Sequence, residues 1–157
     1  MGAPQVNRAL RIVFDTNVIV SALVFKTPGA SWLRSTWIGQ SGSATTIPLA
    51  SGETVRELLR VLNYPKFKLD DAAVNGLLHD YLPFVEQHPS PRTRERLPPC
   101  RDADDLKFLV LAYAARADAL ISRDADLLAI AGQSRIPILT IAELRARLVG
   151  ETGATSF

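Results

Sequence analysis

The chain has 157 residues, of which 47% are hydrophobic and 22% are charged, which suits a single domain with a substantial core. Its formal net charge of +2 lies far from that of a polybasic protein, so bulk charge alone does not indicate a nucleic-acid partner. The single cysteine, Cys100, excludes an intramolecular disulfide and fits a cytoplasmic location. No apolar run reaches the roughly 18 residues of a membrane span, so we expect no membrane segment.

The N-terminal part of the chain predicts two strands with helices between them. The stretch LRIVF at residues 10–14 is rich in β-branched and aromatic residues, as in a strand buried in a parallel sheet. Helices are predicted at residues 18–24 and 30–38, on either side of a Pro-Gly turn. A second strand is predicted at residues 44–47, ending before Pro48.

An amphipathic helix is predicted next, with Ser51 as its N-cap and Pro65 as its end. Its apolar positions recur at helical spacing and are Val55, Leu58, Leu59 and Leu62. Residues 69–85 have a second helical pattern. Residues 87–100 contain four prolines and three arginines, so they predict an exposed, basic connection.

The C-terminal part continues the alternation of helices and strands. Helices are predicted at residues 103–116, 125–131 and 141–149, and strands at residues 119–122 and 136–139. This order predicts a three-layer α/β/α fold with a short, mostly parallel sheet of four or five strands. We expect one domain at residues 10–149, an N-terminal extension at residues 1–9 and a flexible tail at residues 150–157.

Carboxylates gather at one edge of this predicted sheet. Asp15 directly follows the first strand, Asp124 follows the third, and Asp105 stands at the start of a helix. Ligands of open α/β sheets bind beyond the carboxyl ends of the strands, where helix N-termini also point. Glu57 lies about one turn into the helix after the second strand, so it can reach the same edge.

The aspartates also have a structural explanation. Asp105 and Asp124 stand where helix N-caps are expected, and Asp102 with Asp105 resembles a capping box. For these residues spacing alone does not separate capping from function. Asp15 is different, because it interrupts an otherwise apolar run and its burial without a partner would be costly.

Glu57 has a direct competitor. Helical spacing places it on the solvated side of its helix, where Arg56 and Arg60 can pair with it. Glu53 lies one turn earlier on the same side. Spacing alone leaves the choice between these two glutamates open.

Four carboxylates crowded at one edge would repel one another and raise their pKa values unless cations neutralise them. Mg²⁺ or Mn²⁺, as one or two ions, is the expected cofactor, because these ions take oxygen ligands and activate water for phosphodiester hydrolysis. Zinc is not expected, because His79, His88 and Cys100 do not make up a zinc motif.

Five stretches in this order resemble the PIN-domain family, and above all its branch of toxin-like components of bacterial toxin–antitoxin systems. They are FDTNVIVSAL, RELLRVL, RDADDLKFLVLA, ISRDADLL and the strand IPILT. The resemblance spans residues 10–144 and implies a PIN-like fold. It also implies that the family's four acids are Asp15, Glu57, Asp105 and Asp124, supported by Thr16, Asn17, Ser122 and Asp126.

The resemblance decides two ambiguities. Glu57 precedes Leu-x-x-Val-Leu, as the family's second acid does, and is therefore favoured over Glu53. Asp105 is favoured over Asp102 and Asp104 as the family's third acid, because apolar residues follow it at the family's spacing.

By the same resemblance, the expected reaction is metal-assisted hydrolysis of RNA, above all single-stranded RNA, leaving a 5′-phosphate and a 3′-hydroxyl. Asp15, Asp105 and Asp124 would hold the metal, and Glu57 would position a second ion or the attacking water. The candidate RNA contacts are Arg92, Arg94, Arg96, Arg101 and Arg123, the last standing where many relatives have glycine. A merely solvated basic loop explains the first four equally well. A cognate antitoxin and a second copy of the chain are the expected protein partners.

Two other functions fit parts of the pattern. A Toprim-type site also combines a glutamate with a D-x-D element, here residues 124–126, but it leaves Asp15 unexplained. A PIN scaffold would act only through protein contacts, although the presence of all four acids favours an enzyme. Trp32, Trp37 and Phe25 could face a protein partner, but core packing is the expected role of such large aromatic side chains.

Overall fold

The computed structural model describes residues 8–39 and 43–154. The strands are β1 (Leu10–Phe14), β2 (Thr46–Ala50), β3 (Glu86–Gln87), β4 (Ala119–Ile121) and β5 (Ile138–Leu139). They form one sheet in the order β3-β2-β1-β4-β5, and every neighbouring pair is parallel. The predicted α/β class and the mostly parallel sheet of four or five strands are therefore confirmed.

Seven helices accompany the sheet within the described ranges. They are α1 (Thr16–Val24), α2 (Pro28–Ile38), α3 (Gly52–Leu62), α4 (Asp71–His79), α5 (Leu106–Ala115), α6 (Ala125–Ala129) and α7 (Ile141–Ala154). Ser51 caps α3 as predicted, because its hydroxyl accepts the backbone N–H of Thr54 and the Thr54 hydroxyl accepts that of Ser51. None of the described helices is long and apolar enough to cross a membrane.

The apolar side chains form two cores, one on each face of the sheet. On one face Ile12, Phe14 and Ile121 pack with apolar residues of α1, α2, α3, α4 and α7. On the other face Val13 and Leu120 pack with those of α5 and α6. Because successive residues of a strand point to opposite faces, β1 and β4 contribute to both cores. This arrangement is the predicted three-layer α/β/α fold.

The largest errors in the predicted strands concern β2 and β3, while β4 and β5 are one and two residues shorter than predicted. β2 continues through Pro48 to Ala50, and β3 follows α4 although no strand was predicted there. β3 pairs with β2 only from Leu49 onward, so Pro48 lies where β2 has one free side and proline is tolerated. β3 has only two residues, too few to give a sequence pattern.

The predicted helix boundaries also shift. The helical pattern at residues 69–85 divides into α4 and a 3₁₀ turn at Leu82–Phe84, because Pro83 has no N–H to continue a helix. α7 runs on to Ala154, beyond the predicted end of its helix at residue 149. Residues 155–157 of the predicted tail and most of the predicted extension at residues 1–9 lie outside the described residues.

Core packing is confirmed for one of the three aromatic residues considered as interface candidates. Trp37 is 2% exposed, and its ring lies edge-on to Phe14 and Tyr81, with centroids 5.4 and 5.8 Å away. Trp32 is only half-buried. Phe25 is 46% exposed, so its expected place in the core is wrong.

The sheet order fixes where a ligand would meet the fold. β1 is the central strand, with β2 on one side and β4 on the other. The chain therefore leaves β1 in one direction and returns on its other side, which makes the carboxyl end of β1 the switch point at which α/β sheets bind ligands. Asp15 is the first residue beyond that end.

Candidate metal centre

Asp15 is held between the ends of β1 and β4. Its Oδ1 accepts the backbone N–H of Asn17 at 2.8 Å, so it caps α1, and its Oδ2 accepts the Ser122 hydroxyl at 2.6 Å. Asp15 is only 5% exposed. Burial raises its pKa despite these hydrogen bonds, and the charges of Asp124 and Glu57 raise it further. The fold thus keeps a carboxylate in a place that disfavours its negative charge.

Ser122 joins two of the predicted acids. It is fully buried, donates its hydroxyl hydrogen to Asp15, and accepts the backbone N–H of Asp124 at 2.8 Å. Asp124 in turn caps α6, because its Oδ1 accepts the backbone N–H of Asp126 at 2.8 Å. The capping explanation therefore describes Asp124, although its second carboxylate oxygen takes no part in the cap.

The capping explanation is wrong for Asp105, whose side chain makes no cap hydrogen bond to α5. Asp105 is 7% exposed, and its Oδ2 has no hydrogen-bond partner among the described residues. Its pKa is raised to about 7, first by burial, then by a hydrogen bond to Asp124 that favours the protonated carboxyl, and then by the charges of Asp124, Asp102 and Asp15. Asp105 is therefore the acid that most needs a cation.

Glu57 reaches the same edge from α3. The Thr16 hydroxyl donates to its Oε2, and Lys107 Nζ lies 2.9 Å from its Oε1. The side chains of Lys107 and Glu57 are only 14% and 16% exposed. Glu53 is exposed and lines a cavity of about 320 Å³ whose lining includes Lys107 but not Glu57. Of the two glutamates that spacing could not separate, Glu57 is the one placed beside Thr16.

A group of carboxylate oxygens surrounds Asp105. One oxygen each from Asp102, Asp105 and Asp126 lie within 4.8 Å of one another. Asp102 was considered only for capping and register, and it does cap the turn at Ala103–Asp105 by accepting the backbone N–H of Asp104 at 2.9 Å. Its position beside Asp126 depends on how the loop before α5 meets the start of α6, which no local pattern reveals.

The remaining predicted residues are exposed on the surface. Asn17 is exposed. The five candidate RNA contacts are also exposed: Arg92, Arg94, Arg96, Arg101 and Arg123. Lys107 was missed by the sequence analysis; its only signal was a cation two residues beyond Asp105.

The donor set fits a hard divalent cation. Every candidate ligand is a carboxylate oxygen, the donor that Mg²⁺ and Mn²⁺ prefer. The unpartnered Oδ2 of Asp105 supplies an observation independent of the clustering, since buried polar atoms are normally hydrogen-bonded. Neither histidine joins the cluster, and His88 instead contacts Glu86, with Nε2 2.6 Å from Oε2.

Ser122→Ala should lower the free energy of unfolding by about 1 to 3 kcal/mol, because it leaves a carboxylate oxygen of Asp15 and the backbone N–H of Asp124 without their buried partner. It should also weaken metal binding as the pH falls, because the Ser122 hydrogen bond lowers the pKa of Asp15. Urea unfolding in EDTA measures the first effect. Ser21→Ala is the matched control, since that buried hydroxyl bonds only the carbonyl of Asn17. Equal losses in the two variants would contradict the bridging role.

Comparison with known families gives one match. A family model described as PIN domain matches residues 11–126, a span that contains Asp15, Glu57, Asp105 and Asp124. No curated protein matches the chain.

Proposed function

The chain belongs to the PIN domain family, a family of nucleases, and from that premise we propose that it is a metal-dependent endoribonuclease acting on single-stranded RNA. One observation carries the proposal. Asp105 is buried among other carboxylates, and its Oδ2 has no partner in the described part of the chain. Burying such a charge alone is costly, so the site suits a bound cation.

Mg²⁺ or Mn²⁺, as one or two ions, is the proposed cofactor. Asp15, Asp105 and Asp124 are the proposed ligands, and Asp102 and Asp126 stand close enough to Asp105 to take part. When bound, such an ion supplies Lewis acidity at the phosphodiester and lowers the pKa of a coordinated water.

The chain's own hydrogen bonds organise this edge. Ser122 fixes the orientation of the Asp15 carboxylate, while Thr16 and Lys107 hold that of Glu57. Lys107 already provides Glu57 with a positive charge, so positioning the attacking water suits Glu57 better than holding a metal ion. This assignment refines the role that the sequence pattern implied for it.

The proposed substrate follows from the shape and charge of the edge. An unstacked backbone can bend towards a recessed acidic site, while cations around it hold the flanking phosphates. Exposed arginines that can serve in this way are Arg92, Arg94, Arg96, Arg101 and Arg123.

The resemblance to toxin-like proteins extends the proposal to a biological role. In that role the chain would be the toxin of a toxin–antitoxin pair, acting in the cytoplasm and restrained by a cognate antitoxin. Association with a second copy of the chain is part of the same proposal. The family match leaves the Toprim-type interpretation without support.

Cleavage of a mixed pool of single-stranded RNA by the purified chain, in the presence of Mg²⁺ or Mn²⁺, tests the proposal. Cleavage should stop in EDTA and in the Asp15→Asn variant. Asp104→Asn is the matched control, because Asp104 is an exposed acid of the same acidic run and should leave cleavage unchanged. The products should carry 5′-phosphates.

Cleavage that survives both EDTA and Asp15→Asn would disprove the carboxylate–metal mechanism. An absence of cleavage with either ion, on single-stranded and duplex RNA alike, would instead favour a PIN scaffold that acts through protein contacts.

A further inference from the structure

A small cavity lies between the α1–α2 hairpin and the start of α7. Its volume is about 160 Å³, and its lining combines two arginines with two aromatic side chains, which are Arg123, Arg145, Phe25 and Trp32. None of these residues is a proposed metal ligand. The cavity is therefore separate from the carboxylate cluster.

The two arginines of this cavity have no acidic partner within residues 8–39 and 43–154. In the described part of the chain neither Arg123 nor Arg145 forms an ion pair, and both are exposed. Arg145 instead lies over the Trp32 ring, 4.9 Å from its centroid. A third cation is close, since Arg34 donates to the carbonyl of Ala22 in the cavity wall at 2.7 Å. Unpaired arginines held on such a surface are suited to phosphate.

Phe25 gives the cavity an exposed ring. It directly follows α1 and is 46% exposed, although large aromatic side chains are usually mostly buried. An exposed ring that shares a cavity with cations suits single-stranded nucleic acids, which stack their bases on aromatic side chains.

Two segments of the chain connect the cavity with the acidic edge. Arg123 is the residue between Ser122 and Asp124, so its backbone belongs to the metal centre while its side chain lines the cavity. Along α1, Asn17 and Ser21 share one face because they are one turn apart, and Phe25 stands one turn further. The axial distance from Asn17 to Phe25 is about 12 Å, at 1.5 Å for each residue.

We propose that this cavity binds the segment of single-stranded RNA that flanks the cleaved bond, with a base stacked on Phe25 and phosphates held by Arg123 and Arg145. The inference rests on the proposed function, and it adds a subsite next to the reacting phosphate.

Fluorescence anisotropy with a labelled single-stranded RNA of mixed sequence, in EDTA to prevent cleavage, tests this subsite. The double variant Arg123→Gln/Arg145→Gln should lower the affinity roughly tenfold and reduce the slope of log affinity against log salt by about 1.4, or 0.7 for each lost phosphate contact. Phe25→Ala should also lower the affinity roughly tenfold through lost stacking. Arg147→Gln is the matched control, because it removes an exposed arginine of α7 outside the cavity and should change the affinity little.

The subsite would be overturned if the double variant kept the RNA affinity and the salt slope of the wild type. It would also be overturned if Arg147→Gln lost as much affinity as the double variant. Cleavage of RNA with unchanged binding in the cavity variants would refute the subsite alone. Cavity-dependent RNA binding without any cleavage would refute the proposed nuclease activity and leave only RNA binding by the cavity standing.

Discussion

Asp105→Asn should abolish metal-dependent cleavage of RNA and at the same time stabilise the metal-free protein above neutral pH. The variant removes a proposed metal ligand, and because the metal contributes several kcal/mol to catalysis, the rate should fall by about three orders of magnitude. It also removes a charge that burial and the neighbouring carboxylates disfavour. A residue that only stabilised the fold would show the opposite change in stability.

The pH dependence of the free energy of unfolding separates the loss of a metal ligand from the loss of a disfavoured charge. The pKa of Asp105 is raised to about 7 in the folded protein, whereas an unfolded chain has an aspartate pKa of about 3.9. Between these values the folded state holds a proton that the unfolded state has released, so the free energy of unfolding falls as the pH rises. Each unit of pKa difference corresponds to about 1.4 kcal/mol.

Thermal unfolding in EDTA at pH 5 and pH 8 measures this contribution. From pH 5 to pH 8 the melting temperature of the wild type should fall by more than that of Asp105→Asn. Adding Mn²⁺ at pH 8 should raise the melting temperature of the wild type but not that of Asp105→Asn. Asp104→Asn, which changes an exposed acid next to Asp105, should behave like the wild type. An Asp105→Asn variant that still gains stability from Mn²⁺ would show that Asp105 is not a ligand.

Lys107→Met should lower the free energy of unfolding by about 2 to 3 kcal/mol, although a lysine at the start of a helix is normally replaceable. Removing one partner of a buried ion pair costs roughly 3 to 5 kcal/mol, and here Thr16 and the more distant Arg60 still hold the Glu57 carboxylate. Glu57→Gln should cost less, because its amide keeps a partner in Thr16. The loss of stability in the double variant should be smaller than the sum of the two single losses by about 1 kcal/mol or more.

Urea unfolding of the two single variants and the double variant gives this coupling energy directly. Lys107 lies over the ring of Phe108, 5.2 Å from its centroid. Lys66→Met is the matched control, since Lys66 lies over the ring of Phe67 at 5.1 Å and is exposed. Additive losses in the Glu57 and Lys107 variants would mean that their contact contributes no stability. The same variants should keep Mn²⁺ binding if Glu57 positions water and not metal.

The sequence predicts those parts of the fold and site that depend on nearby residues. β1, the Ser51 cap and the α/β alternation follow from composition and spacing within one element. The position of Asp15 follows from the cost of burying a carboxylate within an apolar run. Each of these features follows from residues that lie close together in the chain.

The remaining features depend on contacts between distant segments. β3 exists only because residues far along the chain pair with β2. Glu57 turns towards the edge because Thr16 and Lys107, from two other helices, contact it. The grouping of Asp102 with Asp126 likewise requires the loop before α5 to meet the start of α6, so spacing within either segment could not predict it.

Both outer strands of the sheet, β3 and β5, are only two residues long. Such short edges offer few unpaired backbone groups on which another chain could add a strand. Pairing of an edge strand with a strand of another molecule is therefore disfavoured, and so is the aggregation that such pairing causes. A second copy or an antitoxin would have to bind through side chains of the helical layers, where a few surface substitutions can change which partner is accepted without disturbing the central sheet.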